Sequence, residues 1–171
     1  MFTRKTMHNN EYCHPNDNIK LPQNFLNEPT LALLMGISNE EGVEQSMVVQ
    51  KAFDARSFIK YIELVVKKHR NQKIALFMDN LGVHHARTVK PVYEKFDVMS
   101  IYNAAYSPEF NPIEMCFSKI KHIFKKLRLQ KLTGQHKMSH HEMIAQAQAS
   151  LTLDHVQGCI RHAKEDLDKE S

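Results

Sequence analysis

Two acidic residues stand where secondary structure alone does not require them. Asp79 closes the apolar run 74-IALFM-78, and Glu114 ends the segment 106-YSPEFNPIE-114, with 34 residues between the two acids. Carboxylates are hard oxygen ligands suited to Mg²⁺ or Mn²⁺, and Mg²⁺ typically takes one or two of them, leaving other positions to water and phosphate. Two such ions about 3.5–4 Å apart activate an attacking oxygen and stabilise a leaving oxygen in phosphodiester displacement. Asn80 and His84 follow Asp79 closely, and Asn111 with Pro112 precedes Glu114, so polar groups crowd both turns. Beyond Glu114 come Lys119, Lys121, Lys125, Lys126 and Arg128, residue types that hold DNA phosphates without reading base sequence.

Each feature also has a plainer reading. Asn111-Pro112-Ile113-Glu114 is a helix-capping arrangement, with Asn at N-cap, Pro at N1 and Glu at N3. Asp79-Asn80 suits turn chemistry, because Asx side chains bond their own backbone. His84 and His85 at the start of a helix are commonly surface residues, and the basic run is equally a solvated helix face. Cys13-His14 and His136, His140 and His141 lack the spaced partners of a structural zinc site.

The elements that must position these residues follow from the hydrophobic pattern. Residues 1–30 are Pro- and Asn-rich without a period of 2 or 3.6, and predict irregular structure. Runs 31–37 and 46–50, split by 38-SNEEGVEQ-45, predict a β-hairpin. A helix opens at Asp54, with Phe58, Ile62 and Val65 on one face. The run 74–78 is apolar on both faces, as in a strand buried mid-sheet, and strand ends in open sheets are where ligands bind. Residues 84–96 predict a helix ended or kinked by Pro91, and 98–102 another strand. Helix 112–130 carries the stripe Ile113, Phe117, Ile120, Phe124, Leu127, with its basic residues off that stripe. Segments 139–151 and 153–168 predict two further helices, the first opened by a Ser139–Glu142 capping box. This order predicts an α/β fold with a mixed sheet.

Composition narrows the class. The chain of 171 residues is 42% hydrophobic and 25% charged, as in a globular domain. Its longest apolar run, 31-LALLMGI-37, is strand-sized, and the N-terminus lacks a signal-peptide pattern, so no membrane partner is expected. Three scattered cysteines fit a reducing compartment. Net charge is +4, but from Met115 to His141 there are seven Lys/Arg and no acid, a block suited to a polyanion.

The segments 76-LFMDNLGVHHA-86 and 106-YSPEFNPIEMCFSKIK-121 resemble the second half of the catalytic core of mariner-like DDE transposases. That family shows an apolar strand ending in Asp-Asn, a His shortly after, and a Ser-Pro-acid-apolar-Asn-Pro-Ile-Glu signature before a helix. Ser107 to Glu114 is the specific part of the match. The resemblance implies a ribonuclease-H-like mixed sheet flanked by helices. It implies a catalytic core at 31–130, between an irregular 1–30 segment and a 131–171 helical extension. Asp79 and Glu114 become the second and third acids of a triad and the metal ligands, with Asn80, His84 and Asn111 shaping the site. The implied cofactor is Mg²⁺ or Mn²⁺. The implied partners are DNA and a homodimer mate or an upstream transposase segment. The activity is DNA cleavage and strand transfer. A repurposed, inactive remnant that binds nucleic acid is the alternative.

The family pattern also asks for a first Asp at the end of a central strand ahead of the hairpin. Asp17 lies in a Pro/Asn-rich stretch and Asp54 opens a helix, so neither suits that place. The expectation is that the first central strand lies outside this chain, leaving strand edges open. Lys over Arg, 17 to 6, and many Asn suggest an AT-rich genome and, for a eukaryotic host, a nuclear protein.

Overall fold

A computed structural model describes residues 30–105 and 107–170, and Asp17, Cys13 and His14 lie outside them. Strands β1 (Leu31–Ser38) and β2 (Gly42–Gln50) form an antiparallel hairpin. β2 begins four residues earlier than the apolar pattern indicates, because a register slip between Gly36 and Ile37 lets Ser38 pair with Gly42. Gly42 has φ +75°, and a Cβ there would meet the Leu153 backbone at 3.3 Å, so turn and packing both require glycine.

Helix α1 (Ala55–Lys68) is capped by Asp54, whose carboxylate accepts the Ser57 N–H at 2.8 Å. Strand β3 (Ile74–Met78) pairs in parallel with β4 (Val98–Tyr102) through a crossover that holds helix α2 (Lys90–Lys95). The helix expected over 84–96 is therefore shorter. Residues 82–89 are largely turns, and Pro91 sits in the first turn of α2 rather than at its end. Proline tolerates that position because the first-turn N–H groups have no intrahelical partner anyway. A short 3₁₀ turn, Pro108–Phe110, leads into α3 (Pro112–Leu132). Helix α4 (His140–Ala149) opens with the Ser139–Glu142 capping box, and α5 (Leu153–Glu170) follows.

Among the described residues the strands make two two-stranded sheets, β1–β2 and β3–β4, instead of one mixed sheet. Alternation along β1 sends its side chains into two cores. Leu34 packs with Phe58, Ile62, Val89, Tyr93 and Val98 beneath α1 and α2. Leu31, Leu33 and Met35 pack with Ile120, Phe124, Met143, Ile144 and Val156 beneath α3, α4 and α5. Full burial of an aliphatic side chain contributes about 1.5–3 kcal/mol, so these layers hold the fold.

The second face of β3–β4 lacks such a cover. Phe77 is 46%, Met99 63% and Ile101 43% exposed, so β3 is not the doubly buried strand its composition indicates. No described helix is long and apolar enough to cross a membrane.

Candidate functional site

The site is assembled at the carboxyl ends of β3 and β4. Their register pairs Met78 with Tyr102, so the next residues, Asp79 and Asn103, leave adjacent strand ends side by side. The Asn103 N–H continues the ladder by donating to the Met78 carbonyl at 2.8 Å.

Asp79 is held by the turn that follows it. His84 Nδ1 lies 3.0 Å from the Asp79 carbonyl oxygen and 3.1 Å from its Oδ1. A carbonyl only accepts, so Nδ1 carries the proton and donates. The His84 ring is buried against Phe58, at 4.6 Å between centroids, and its carbonyl accepts the Tyr93 hydroxyl at 3.3 Å and the Tyr102 hydroxyl at 3.4 Å. His84 is thus a clamp rather than a surface residue, while the Asp79 side chain stays 51% exposed and open to a ligand. His85 pairs with its neighbour turn residue, Nε2 lying 2.5 Å from Asn80 Oδ1, and its ring rests 4.1 Å from that of Tyr102.

The loop to Glu114 is anchored by a residue the sequence patterns do not single out. Buried Asn103 donates from Nδ2 to the Ser107 carbonyl at 2.5 Å and accepts the Ala104 N–H at 2.9 Å. Its signal was positional: it ends β4 as Asp79 ends β3. From Ser107 the 3₁₀ turn closes with the Asn111 N–H on the Pro108 carbonyl at 3.0 Å, and the Glu114 N–H then bonds the Asn111 carbonyl at 3.1 Å. Asn111 occupies the N-cap position of α3, yet its side chain makes no capping hydrogen bond; the residue is buried at the site. Asn111, Pro112 and Glu114 thus hold the positions of the capping arrangement without its side-chain bond from Asn111, and Glu114 stays exposed in the first turn.

These residues meet around one cavity of about 440 Å³, walled by Asp79, Asn80, Asn103, Ser107, Asn111 and Glu114. Asp79, Asn111 and Glu114 also line a neighbouring cleft of about 470 Å³ that runs between β1 and β3. Two carboxylates with 34 residues between them thus share a wall, with amide oxygens beside them. This all-oxygen donor set fits a hard divalent ion. Among the described residues no cluster of three or more His, Cys, Asp or Glu forms a fuller metal cage. Asp54 is engaged as the cap of α1.

The basic residues of α3 do not form one surface. At about 100° per residue, Lys121 and Lys125 fall about 20° to either side of Glu114 on the helix, whereas Lys119 and Lys126 fall about 120–140° away. Burial pushes the Cys116 thiol up to about 12 and holds His155 below its ordinary value, and the Lys119 charge acts downward on both. Arg128 departs from expectation: it is buried, in the i, i+4 row Cys116, Ile120, Phe124, Arg128, whose apolar members pack in the core shared with α4 and α5 and widen the apolar stripe.

A family model described as DDE superfamily endonuclease matches residues 26–134. No curated protein sequence matches the chain. Among solved structures, the catalytic domain of Mos1 mariner transposase superposes with a TM-score of 0.58 at 16% identity, over 80% of this chain and 70% of that one. The Mos1 strand transfer complex gives 0.60 at 17% identity, over 94% of this chain and 48% of that one, so the chain spans about half the length of that protein. The Mos1 catalytic domain with Raltegravir and Mn gives 0.58 at 16% identity, over 80% and 72%. At such identities these likenesses concern the fold.

Proposed function

Because this chain belongs to the DDE superfamily endonucleases, with the ribonuclease-H-like fold of a mariner transposase catalytic domain, we propose that it is the catalytic part of an enzyme cleaving and joining DNA strands. The observation that carries this reading is the shared cavity of Asp79 and Glu114 at the carboxyl end of β3. Those two side chains would hold Mg²⁺ or Mn²⁺, the ion of one Mos1 catalytic-domain structure being Mn and of another Mg. When bound, the ion supplies Lewis-acid activation of a phosphodiester and its attacking oxygen.

The chain's own residues supply position. His84 fixes the backbone and carboxylate of Asp79 together, so the ligand is pre-oriented before any ion arrives. Asn103 and the Pro108 turn fix the approach of Glu114. Lys121 and Lys125, in line with Glu114, would take the DNA backbone. A third acid, expected from polypeptide outside residues 30–170, would complete the ligand set.

The test combines Mn²⁺ binding with a plasmid-nicking assay on this chain, on the chain extended upstream along its reading frame, and on the extended chain carrying Glu114→Gln. Mn²⁺ binding lost in Glu114→Gln, and nicking by the extended chain alone, are expected. Metal-dependent nicking by residues 1–171 would show that all required acids lie within them, and equal Mn²⁺ binding by Glu114→Gln would refute its ligand role.

A further inference from the structure

The outer edge of β4 is open. Among the described residues β4 pairs only with β3, and a cavity of about 700 Å³ runs beside it, lined by Val98, Met99, Ser100 and Tyr102 together with Lys90 and Glu94 of α2. The parity of the ladder decides which groups face outward. Residues of a strand bond their two neighbours alternately, and the Asn103 N–H bonds the Met78 carbonyl, so Asn103, Ile101 and Met99 turn their polar groups to β3. Val98, Ser100 and Tyr102 therefore turn theirs to the open edge. That edge holds no proline, no lysine and no bulge, the usual guards against strand pairing.

We propose that this edge pairs with the same edge of a second copy of the chain, antiparallel about a two-fold axis through Ser100. Val98 then faces the partner's Tyr102, and Ser100 the partner's Ser100, and each such pair exchanges two N–H···O bonds. A strand whose outward residues are spaced evenly about a central one is its own complement, as an isologous contact requires. The intervening pairs set Met99 against the partner's Ile101, where antiparallel strands approach most closely, about 4.5 Å between Cα atoms. Met99 and Ile101 are exposed beside Phe77 on the uncovered face of the sheet, and this pairing gives each an apolar neighbour.

Helix α2 adds charge of the right sense. The crossover returns from the carboxyl end of β3 to the amino end of β4, so Lys90 lies toward the carboxyl ends and Glu94, one turn on, toward the amino ends. Both residues are exposed. The two-fold axis exchanges the ends, which turns Glu94 toward the partner's Lys90 and Lys90 toward the partner's Glu94. Register and charge together favour a second copy over an unrelated strand. The inference concerns the outer edge of β4 and does not rest on the metal site.

The test is sedimentation of the full chain across a concentration series, with residue-resolved amide exchange. Concentration-dependent dimers are expected, with exchange slowing on association at Val98, Ser100 and Tyr102 but not at Met99 and Ile101, whose amides already bond β3. Ser100→Pro removes a donor from the free edge without touching the bonds to β3, and should weaken association about tenfold or more. Glu94→Lys or Lys90→Glu alone should weaken it about threefold or more, and the two together should restore it. The charge exchange lies on exposed positions of α2, so it decides the matter even where Ser100→Pro lowers the Tm. A chain that stays monomeric at its highest soluble concentration would overturn the proposal. So would dimers whose exchange slows elsewhere, or whose loss in the single charge variants the double variant does not reverse.

Discussion

Replacing Lys121 and Lys125 together by Gln separates a DNA-facing helix from a merely solvated one. Each lysine that neutralises a phosphate contributes about −0.9 to the slope of log K against log salt. If all four lysines of α3 contacted DNA, the slope from this helix would be about −3.6. The helix geometry forbids that: the pair Lys121/Lys125 and the pair Lys119/Lys126 lie more than about 100° apart, and one duplex flank meets one pair. Glu114 chooses between them, because Lys121 and Lys125 follow it along the same flank, about 10 Å and 16 Å farther down the axis. The double substitution Lys121→Gln/Lys125→Gln should therefore flatten the slope by about 1.8, and Lys119→Gln/Lys126→Gln should change it little. The assay is fluorescence anisotropy with a labelled random-sequence duplex across a salt series, with Tm measured for each variant. Equal flattening by both pairs, or a larger effect of the second pair, would refute the placement of DNA along Glu114's flank. An unchanged slope in both would return the lysines to a solvated face.

Other outcomes follow from single contacts. His84→Ala frees the Asp79 carboxylate and should weaken Mn²⁺ binding about 10–100-fold in a titration followed by electron paramagnetic resonance, with unchanged affinity refuting the clamp. Ile120→Ala, in a fully buried site under α4 and α5, should cost about 2–5 kcal/mol in urea unfolding, and a loss below 1 kcal/mol would mean that this core is not packed as described. Burial pushes the Glu44 carboxyl up, but hydrogen bonds from Lys68 and Ser38 outweigh it and hold the group below its ordinary 4.5. A depressed carboxylate stabilises the fold above its unfolded pKa and loses that contribution as pH falls through the folded one. The small Tm gap between the natural chain and Lys68→Met should accordingly close on acidification below about pH 4.5; a gap that widens there would contradict the pairing. Ser139→Ala should remove about 1 kcal/mol by opening the capping box, read as a lowered urea midpoint.

The sequence made the site more legible than the sheet. Asp79 at a strand end and Glu114 after two prolines were readable, because both positions obey local rules that hold without tertiary context. Asn103 escaped notice because its role is set by the parallel register with β3, a long-range property that no local pattern encodes. The α2 region misled through Pro91, which ends a helix in one register and begins one in another. Arg128 was misplaced because the apolar stripe was read narrowly, and only the packing of α4 and α5 widens it. The run 74–78 suggested burial on both faces; its composition answers to a complete sheet, whereas the described residues cover one face.

β1 has a mechanical consequence beyond the site. Its odd and even side chains belong to different helical layers, Leu31, Leu33 and Met35 to one and Leu34 to the other. Detaching either layer strips the same strand of half its packing, so neither can melt while the other stays intact. Proteins whose layers meet only at a loop shed them piecemeal, but a shared wall ties their fates. Heating this chain should therefore produce one transition with matching signals from both layers, and the slowest-exchanging amides should be those β1 amides that bond β2.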